Sequence, residues 1–387
     1  MAIYLDNNAT TAVDPRVAKA MMEIFCEGPA NPASQHSLGR SARDRVEDAQ
    51  TTIGRCLDTQ FDEPGGPRLI FTSGGTESNN LAVNGICPDG PLVIGRLEHP
   101  SLIEPAEALQ KAGRTVRWVD INRGGEICLS SLEQAIETDG QLASLVTVMS
   151  ANNETGVLQP IEQVAQICQQ RGVPLHVDAT QSIGKVPISL KRLGAAAVTF
   201  TAHKFHGPAG IGGLWLNSGV RLKPMFHGGQ QQLESRPGTE PTALIVAMAH
   251  ALELATEEMP ETARQCQHLR DRLETALVAR HPELVVQGAS KNRLPTTSCL
   301  SFCGIDRQTL LMALDLAGIA CSSGSACSSG SSPPSHVLIA MGCPDEQVRS
   351  ALRFGLSKFS TADEIESSIE LISNHFKRLR KISDVDN

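Results

Sequence analysis

"VPLHVDATQS", residues 173–182, decides how the chain is read. Its short, mostly apolar run reads as a buried strand, and it stops at Asp178, a carboxylate that a sheet interior does not accept without a partner. Comparable runs recur on both sides: "RLIFT" (68–72), "PLVIG" (91–95), "RTVRWV" (114–119), "SLVTVMS" (144–150), "AAAVTFT" (195–201) and "IGGLWL" (211–216). Segments of helical period flank them. "DPRVAKAMMEIF" (14–25) offers Asp14 as a cap and Pro15 in the first turn, with Val17, Met21, Ile24 and Phe25 on one face, and "SARDRVEDAQTTIGRCL" (41–57) repeats the pattern. Strands alternating with helices predict an α/β fold, with a mostly parallel central sheet flanked by helices.

The pattern changes near residue 256. The polar helical stretch "TEEMPETARQCQHLRDRLETALVARH" (256–281) leads to strand-like "LVVQG" (284–288), "TTSCLSFCG" (296–304) and "IACSSG" (319–324). The expected organisation is a large domain over 13–255 and a smaller α+β domain over 256–387, joined by residues 1–12. The small domain carries the Ser/Gly-rich stretch "CSSGSACSSGSSPPSH" (321–336), expected to be a mobile loop with Cys327 inside it.

Composition narrows the function. A formal net charge of −8 argues against a dedicated nucleic-acid binder, which needs clustered Lys and Arg. The basic run "HFKRLRK" (375–381) reads as the solvated face of a helix. Eleven cysteines, an odd number at irregular spacing, and a start without a basic-then-apolar leader suggest a reducing, cytoplasmic setting. No apolar run approaches the length of a membrane span. Cys299 and Cys303 read as core residues on one side of a strand, and no metal site is expected.

In open α/β sheets ligands bind beyond the carboxyl ends of strands. Three such ends stand out. "FTSGGTESNN" (71–80) runs from a strand through glycines into a helix expected to begin at Glu77, a geometry that offers backbone N–H groups to an anion, though an ordinary strand-to-helix turn has the same look. It lacks the spacing of a nucleotide P-loop, which makes a single phosphate the better guess. "HVDATQS" places Asp178 and Gln181 at a strand end, where Asp178 also fits as the cap of the following turn. "FTAHKFHGP" (200–208) places Thr201, His203 and Lys204 ahead of a Gly-Pro turn, and Lys204 is either a rim lysine or an imine-forming amine of lowered pKa. Together an anion cradle, a carboxylate and a lysine meet three separate requirements of pyridoxal phosphate: a phosphate anchor, a partner for the pyridine nitrogen and an amine for the aldehyde.

The sequence also resembles the cysteine desulfurases of the NifS/IscS type, within the class V aminotransferases. The motifs "YLDNNATT" (4–11), "NPASQHS" (31–37), "EHPS" (98–101), "ANNETGVLQPI" (151–161), "HVDATQSIGK" (176–185), "AHKFHGPAGIG" (202–212), "HGGQQQLESRPGTEPT" (227–242), "SSGSACSSGS" (322–331) and "ALRFGLSKF" (351–359) occur in the family's order over nearly the full length. The resemblance implies that Lys204 binds the cofactor aldehyde and that Asp178 holds the pyridine nitrogen protonated. It implies that Gly75, Thr76, Thr201 and His203 cradle the phosphate, that Asn153 and Gln181 contact the ring hydroxyl side, and that His99 stacks on the ring and handles protons. His99 reads equally as the cap of the helix after Pro100.

By the same resemblance Arg353 grips the substrate carboxylate, and Thr239 reaches the phosphate of the other subunit of a homodimer, with Arg236 in the same loop. Cys327, as thiolate, would take sulfur from L-cysteine as a persulfide, leave L-alanine, and pass the sulfur to an acceptor such as an iron–sulfur scaffold protein; small neighbours and a flexible tether suit that task. Ala209 and the pair Ser332-Pro333 depart from the family pattern, and Pro333-Pro334 would stiffen the distal part of the loop. Cys321 is either buried at a strand end or able to capture the persulfide as a disulfide. Three alternatives to the desulfurase reading stay open: a selenocysteine lyase, another class V aminotransferase, and a non-catalytic scaffold that keeps the fold.

Overall fold

The computed structural model describes residues 2–29, 31–61, 63–324 and 333–383. Its centre is a seven-stranded sheet in the order Arg68–Thr72, Gly212–Leu216, Ala197–Thr201, Leu175–Asp178, Leu145–Met149, Leu92–Gly95, Val116–Val119. Only Gly212–Leu216 runs against its neighbours. Six carboxyl ends therefore share one rim.

Both faces of this sheet are covered, which explains why its strands lack a regular polar alternation. Leu69 and Phe71 join one hydrophobic cluster and Ile70 another. Val93 likewise parts from Leu92 and Ile94. At a transfer value of about 25 cal/mol per Å², burying such side chains contributes roughly 1.5–3 kcal/mol each. Asp14 caps the helix Pro15–Cys26 by accepting from the Arg16 N–H, as its sequence suggests.

The helix Thr242–Arg280 begins well before the polar stretch that announces it and passes residue 256 without interruption. Its first half, from Ile245 to Leu254, packs in the large-sheet cluster; its second half, from Cys266 to Leu277, packs in a separate cluster around a three-stranded antiparallel sheet. That sheet has the order Val285–Val286, Thr297–Ser301, Ala351–Gly355. Cys299 lies buried in its central strand, whereas Cys303 lies past the strand end in a turn and is half-buried. Cys321 is half-buried against the same cluster, and burial pushes its thiol up to about 12, so it is a protonated, poor nucleophile at neutral pH.

The N-terminal segment joins the two regions. Ile3 and Tyr4 pair in parallel with Ile319 and Ala320, and Leu5 is buried among the small-sheet residues. The chain then crosses Gly355, where a Cβ would lie 2.3 Å from Asn8 Oδ1, before reaching the rim of the large sheet. No described helix is long and apolar enough to cross a membrane.

Candidate active site

A cavity of about 690 Å³, its open mouth included, lies at the carboxyl ends of the parallel strands. On one side the strand Arg68–Thr72 turns through Gly74 into the helix Gly75–Gly85, which begins at Gly75 and not at Glu77. Gly74, with φ +154°, brings no capping side chain. A Cβ on Gly212 would lie 2.8 Å from Gly74 Cα, so the neighbouring strand admits only glycine at this crossing. Gly75 and Thr76, the first residues of the helix, line the cavity with the positive end of its dipole.

Asp178 ends the strand Leu175–Asp178 on the cavity wall. Its Oδ1 accepts from the Thr180 N–H at 2.9 Å and its Oδ2 from Asn79 Nδ2 at 2.8 Å. Capping and facing the cavity are thus compatible, and the fixed carboxylate keeps lone pairs for a further donor. The same holds for His99. Its Nδ1 accepts from the Ser101 N–H at 3.1 Å, capping the helix Pro100–Lys111, while its ring lines the cavity. An acceptor Nδ1 places the proton of the neutral ring on Nε2. Desolvation by the surrounding protein holds its pKa below the ordinary value, assisted by Lys204 and opposed by Asp178.

Lys204 follows the strand Ala197–Thr201 in a 3₁₀ turn, with Thr201 and His203 beside it on the wall. Its Nζ donates to the Asn8 carbonyl at 2.6 Å and the Ala9 carbonyl at 2.7 Å. Desolvation, then the positive charge of Arg353, lowers its pKa to about 8, with Asp6 and Asp178 opposing. His203 is lowered to about 4, mainly by burial and then by Lys204 and Lys185, so it is neutral at pH 7. Gln181 donates to the same Asn8 carbonyl at 2.9 Å and accepts from Lys185 Nζ at 2.8 Å.

Asn153 also lines the cavity, and its carbonyl accepts from Arg353 Nη1 at 3.0 Å. Arg353 itself stands behind Asn153, off the cavity wall. Its Nη2 meets Asp6 at 2.7 Å, and its Nε is buried with no partner among the described residues. Thr239 is exposed and lines no part of this chain's cavity. Its loop is tied to the helix Gly75–Gly85 by the Arg236–Glu77 ion pair at 2.8 Å. Cys327 lies outside the described residues.

The donor set fits pyridoxal phosphate. Thr180 Oγ1 is a buried hydroxyl with no partner among the described residues, and a Cβ on Gly75 would sit 3.2 Å from it. An unsatisfied hydroxyl beside an open helix N-terminus suits a phosphate. No cluster of three or more His, Cys, Asp or Glu suited to a metal occurs among the described residues.

The sequence matches the Aminotransferase class-V family over residues 3–367. It is 34% identical over 386 residues to the cysteine desulfurase IscS of Dictyoglomus turgidum, an alignment covering 98% of this chain and 96% of that protein. The fold is similar to that of a NifS-like protein from Rickettsia africae, with a TM-score of 0.89 and 31% identity over 97% of this chain and all of the other. It is also similar to SspA, solved in complex with cysteine, with a TM-score of 0.78 and 29% identity over 92% of this chain and 99% of SspA.

The chain belongs to the cysteine desulfurases of the class-V aminotransferase family.

Within this desulfurase fold, several wall residues escape a reading by strand ends. Asn79 lies four residues into its helix after Gly75, on the face that Gly75 presents, and the i, i+4 spacing is the one signal that points to it. Ser101 reveals itself only through its bond to Asn79 at 2.9 Å, and Thr180 only through its place on the wall and its backbone bond to Asp178. The Asn8 and Ala9 carbonyls, which hold Lys204, have no side-chain signature at all.

Proposed function

We propose that this chain is a pyridoxal-phosphate-dependent cysteine desulfurase. It converts L-cysteine to L-alanine and a persulfide on Cys327, working as a homodimer in the cytoplasm and delivering sulfur to an acceptor protein such as an iron–sulfur scaffold. The observation that carries the reading is the meeting of Asp178, at the end of one strand, and Lys204, in the turn after its neighbour, on one cavity wall.

When bound, the cofactor supplies an electron sink next to the substrate Cα and so makes both the Cα proton and the C–S bond labile. Gly75, Thr76, Thr201 and His203 would hold its phosphate, Asp178 its ring nitrogen, and Asn153 and Gln181 its hydroxyl side. With a pKa of about 8, Lys204 is deprotonated in about a tenth of molecules at pH 7, against well under a thousandth for an ordinary lysine, so it can act as a nucleophile and a base. His99, neutral and carrying its proton on Nε2, can donate or relay a proton within the cavity. Arg353, behind Asn153, would be the guanidinium that meets the substrate carboxylate, with its Nε still without a partner among the described residues.

Sulfur transfer is then a displacement. The Cys327 thiolate attacks the substrate Sγ, a sulfur–sulfur bond forms as the carbon–sulfur bond breaks, and the carbon keeps the electron pair and takes up a proton, releasing L-alanine. A thiolate with this task must stay reduced, which suits the cytoplasm.

The test is mass spectrometry of the purified, cofactor-loaded protein after brief exposure to L-cysteine. One added sulfur atom on the peptide containing Cys327, with stoichiometric L-alanine, is expected. Cys327→Ala should bind cofactor and release no sulfide, and normal turnover by that variant overturns the assignment.

A further inference from the structure

Glu154 belongs to no part of the chemistry above, yet it is a buried carboxyl beside a cavity residue. It sits in the turn Asn152–Gly156, fixed by the Asn152 side chain, whose Oδ1 accepts from the N–H groups of Glu154 at 3.0 Å and Thr155 at 2.9 Å. The turn presents Asn153 to the cavity and points Glu154 the other way, toward the two ends of the segment that carries Cys327.

Those two ends meet on one atom. Ser335 Oγ donates to Glu154 Oε2 at 2.5 Å and also accepts from the Leu338 N–H at 3.1 Å, capping the helix His336–Ala340. Gly324, with φ +87°, packs against that same oxygen so closely that a Cβ there would lie 2.6 Å from it. Other ties flank them. Ser322 exchanges backbone hydrogen bonds of 2.6 and 3.2 Å with Arg353, and the Pro333 carbonyl accepts from Arg307 Nη2 at 2.7 Å.

Resting on the desulfurase reading above, we infer that Glu154 is a positioning residue for sulfur transfer: it bonds the far end of the Cys327 segment at Ser335 and braces its near end at Gly324, beside the cavity residue Asn153. Cys327 follows Gly324 by three residues in the sequence, so chain length alone keeps its Cα within roughly 10 Å of that of Gly324. A shift of about 1 Å in such an anchor can cost on the order of a hundredfold in rate. Burial is costly for a carboxyl, and desolvation raises the Glu154 pKa against the opposing Ser335 hydrogen bond and the charges of His336, Arg353 and Arg307. A role beyond packing gives a reason for that cost.

The experiment uses the full-length holoenzyme and compares wild type with Glu154→Gln, Glu154→Ala and Ser335→Ala. Three quantities are measured: cofactor affinity, the spectral change on adding L-cysteine, and the rate at which Cys327 gains sulfur. Glu154→Ala and Ser335→Ala should keep cofactor affinity, the spectral change and KM, and lose about ten- to a hundredfold in the rate of persulfide formation. Glu154→Gln, which keeps an acceptor for Ser335, should restore most of that rate. Wild-type persulfide rates in both Glu154→Ala and Ser335→Ala overturn the inference, as does a parallel loss of cofactor affinity in either. If Glu154→Ala fails to fold, Ser335→Ala carries the test alone. Absence of persulfide on Cys327 in the wild type would instead overturn the functional reading beneath it.

Discussion

Arg353 and Asp6, separated by most of the chain, form an ion pair of 2.7 Å in which the arginine side chain is 5% exposed and the aspartate 22%. The pair does two things. It balances a buried guanidinium, and it brings a negative charge near Lys204 that offsets part of the arginine's effect on the amine.

Replacing Asp6 by Asn tests both. With its carboxylate partner among the described residues gone, Arg353 should destabilise the fold by about 1–3 kcal/mol, a value reduced from the fully buried case because Asp6 is partly exposed. The Lys204 pKa should fall below about 8, because Asp6 raises it in the wild type. Denaturant unfolding reads the first. The pH dependence of the rate at which cofactor-free protein takes up pyridoxal phosphate reads the second, and an unchanged or higher midpoint would contradict the electrostatic assignment.

Lys204 also makes stability depend on pH. Its folded pKa of about 8 lies below the value of roughly 10.4 in an unfolded chain. Between these values the unfolded state binds the extra proton, so the native state gains stability as pH rises from about 8 to 10.4, and below 8 the penalty of about 3 kcal/mol is fully present. In cofactor-free protein, Lys204→Met removes this term. The stability difference between wild type and variant should therefore move in the wild type's favour across that window, and a flat difference would show that the amine titrates normally.

Lys185 is predicted to set the orientation of Gln181. Its amine is a donor to Gln181 Oε1, which forces Gln181 Nε2 toward Asn8 and gives the amide one stable sense. Lys185→Met frees the amide to flip and should weaken cofactor binding about tenfold, the worth of one hydrogen bond. Fluorescence titration of the cofactor-free protein with pyridoxal phosphate measures it, and wild-type affinity would release Lys185 from this role.

Gly212 is predicted to be irreplaceable for backbone reasons. A methyl group there meets Gly74 Cα and C, both at 2.8 Å, and backbone cannot step aside as a side chain can. Gly212→Ala should cost about 1–3 kcal/mol of stability and shift the start of the helix Gly75–Gly85, lowering affinity for the cofactor more than for its phosphate-free analogue pyridoxal. Equal losses for the two ligands would place the damage elsewhere in the cavity.

The parts of the site that could be read from sequence are those whose chemistry is local. Lys204 and Asp178 announce themselves because a polar residue ends an apolar strand, and Gly75 because glycines separate a strand from a helix. The parts that could not be read depend on distant backbone: the Asn8 carbonyl that binds both Lys204 and Gln181, and the Asp6 carboxylate at Arg353. The first half of the helix Thr242–Arg280 was hidden for a different reason. Thr242, Ala243, Ile245 and Ala247 through Ala249 are all buried, so the segment lacks the polar face that gives a helix its visible period. Glu154 is unremarkable in sequence, since nothing at that position predicts that Gly324 and Ser335 will converge on it.

The pairing of Ile3 and Tyr4 with Ile319 and Ala320 makes the start of the chain a part of the small-sheet region. A few residues on, the N–H and hydroxyl of Thr11 both donate to the His203 carbonyl, at 2.9 and 3.0 Å. The Asn8 and Ala9 carbonyls that receive the Lys204 amine therefore sit on a strap pinned at both ends. A displacement of the small-sheet region would be felt at that amine through backbone alone.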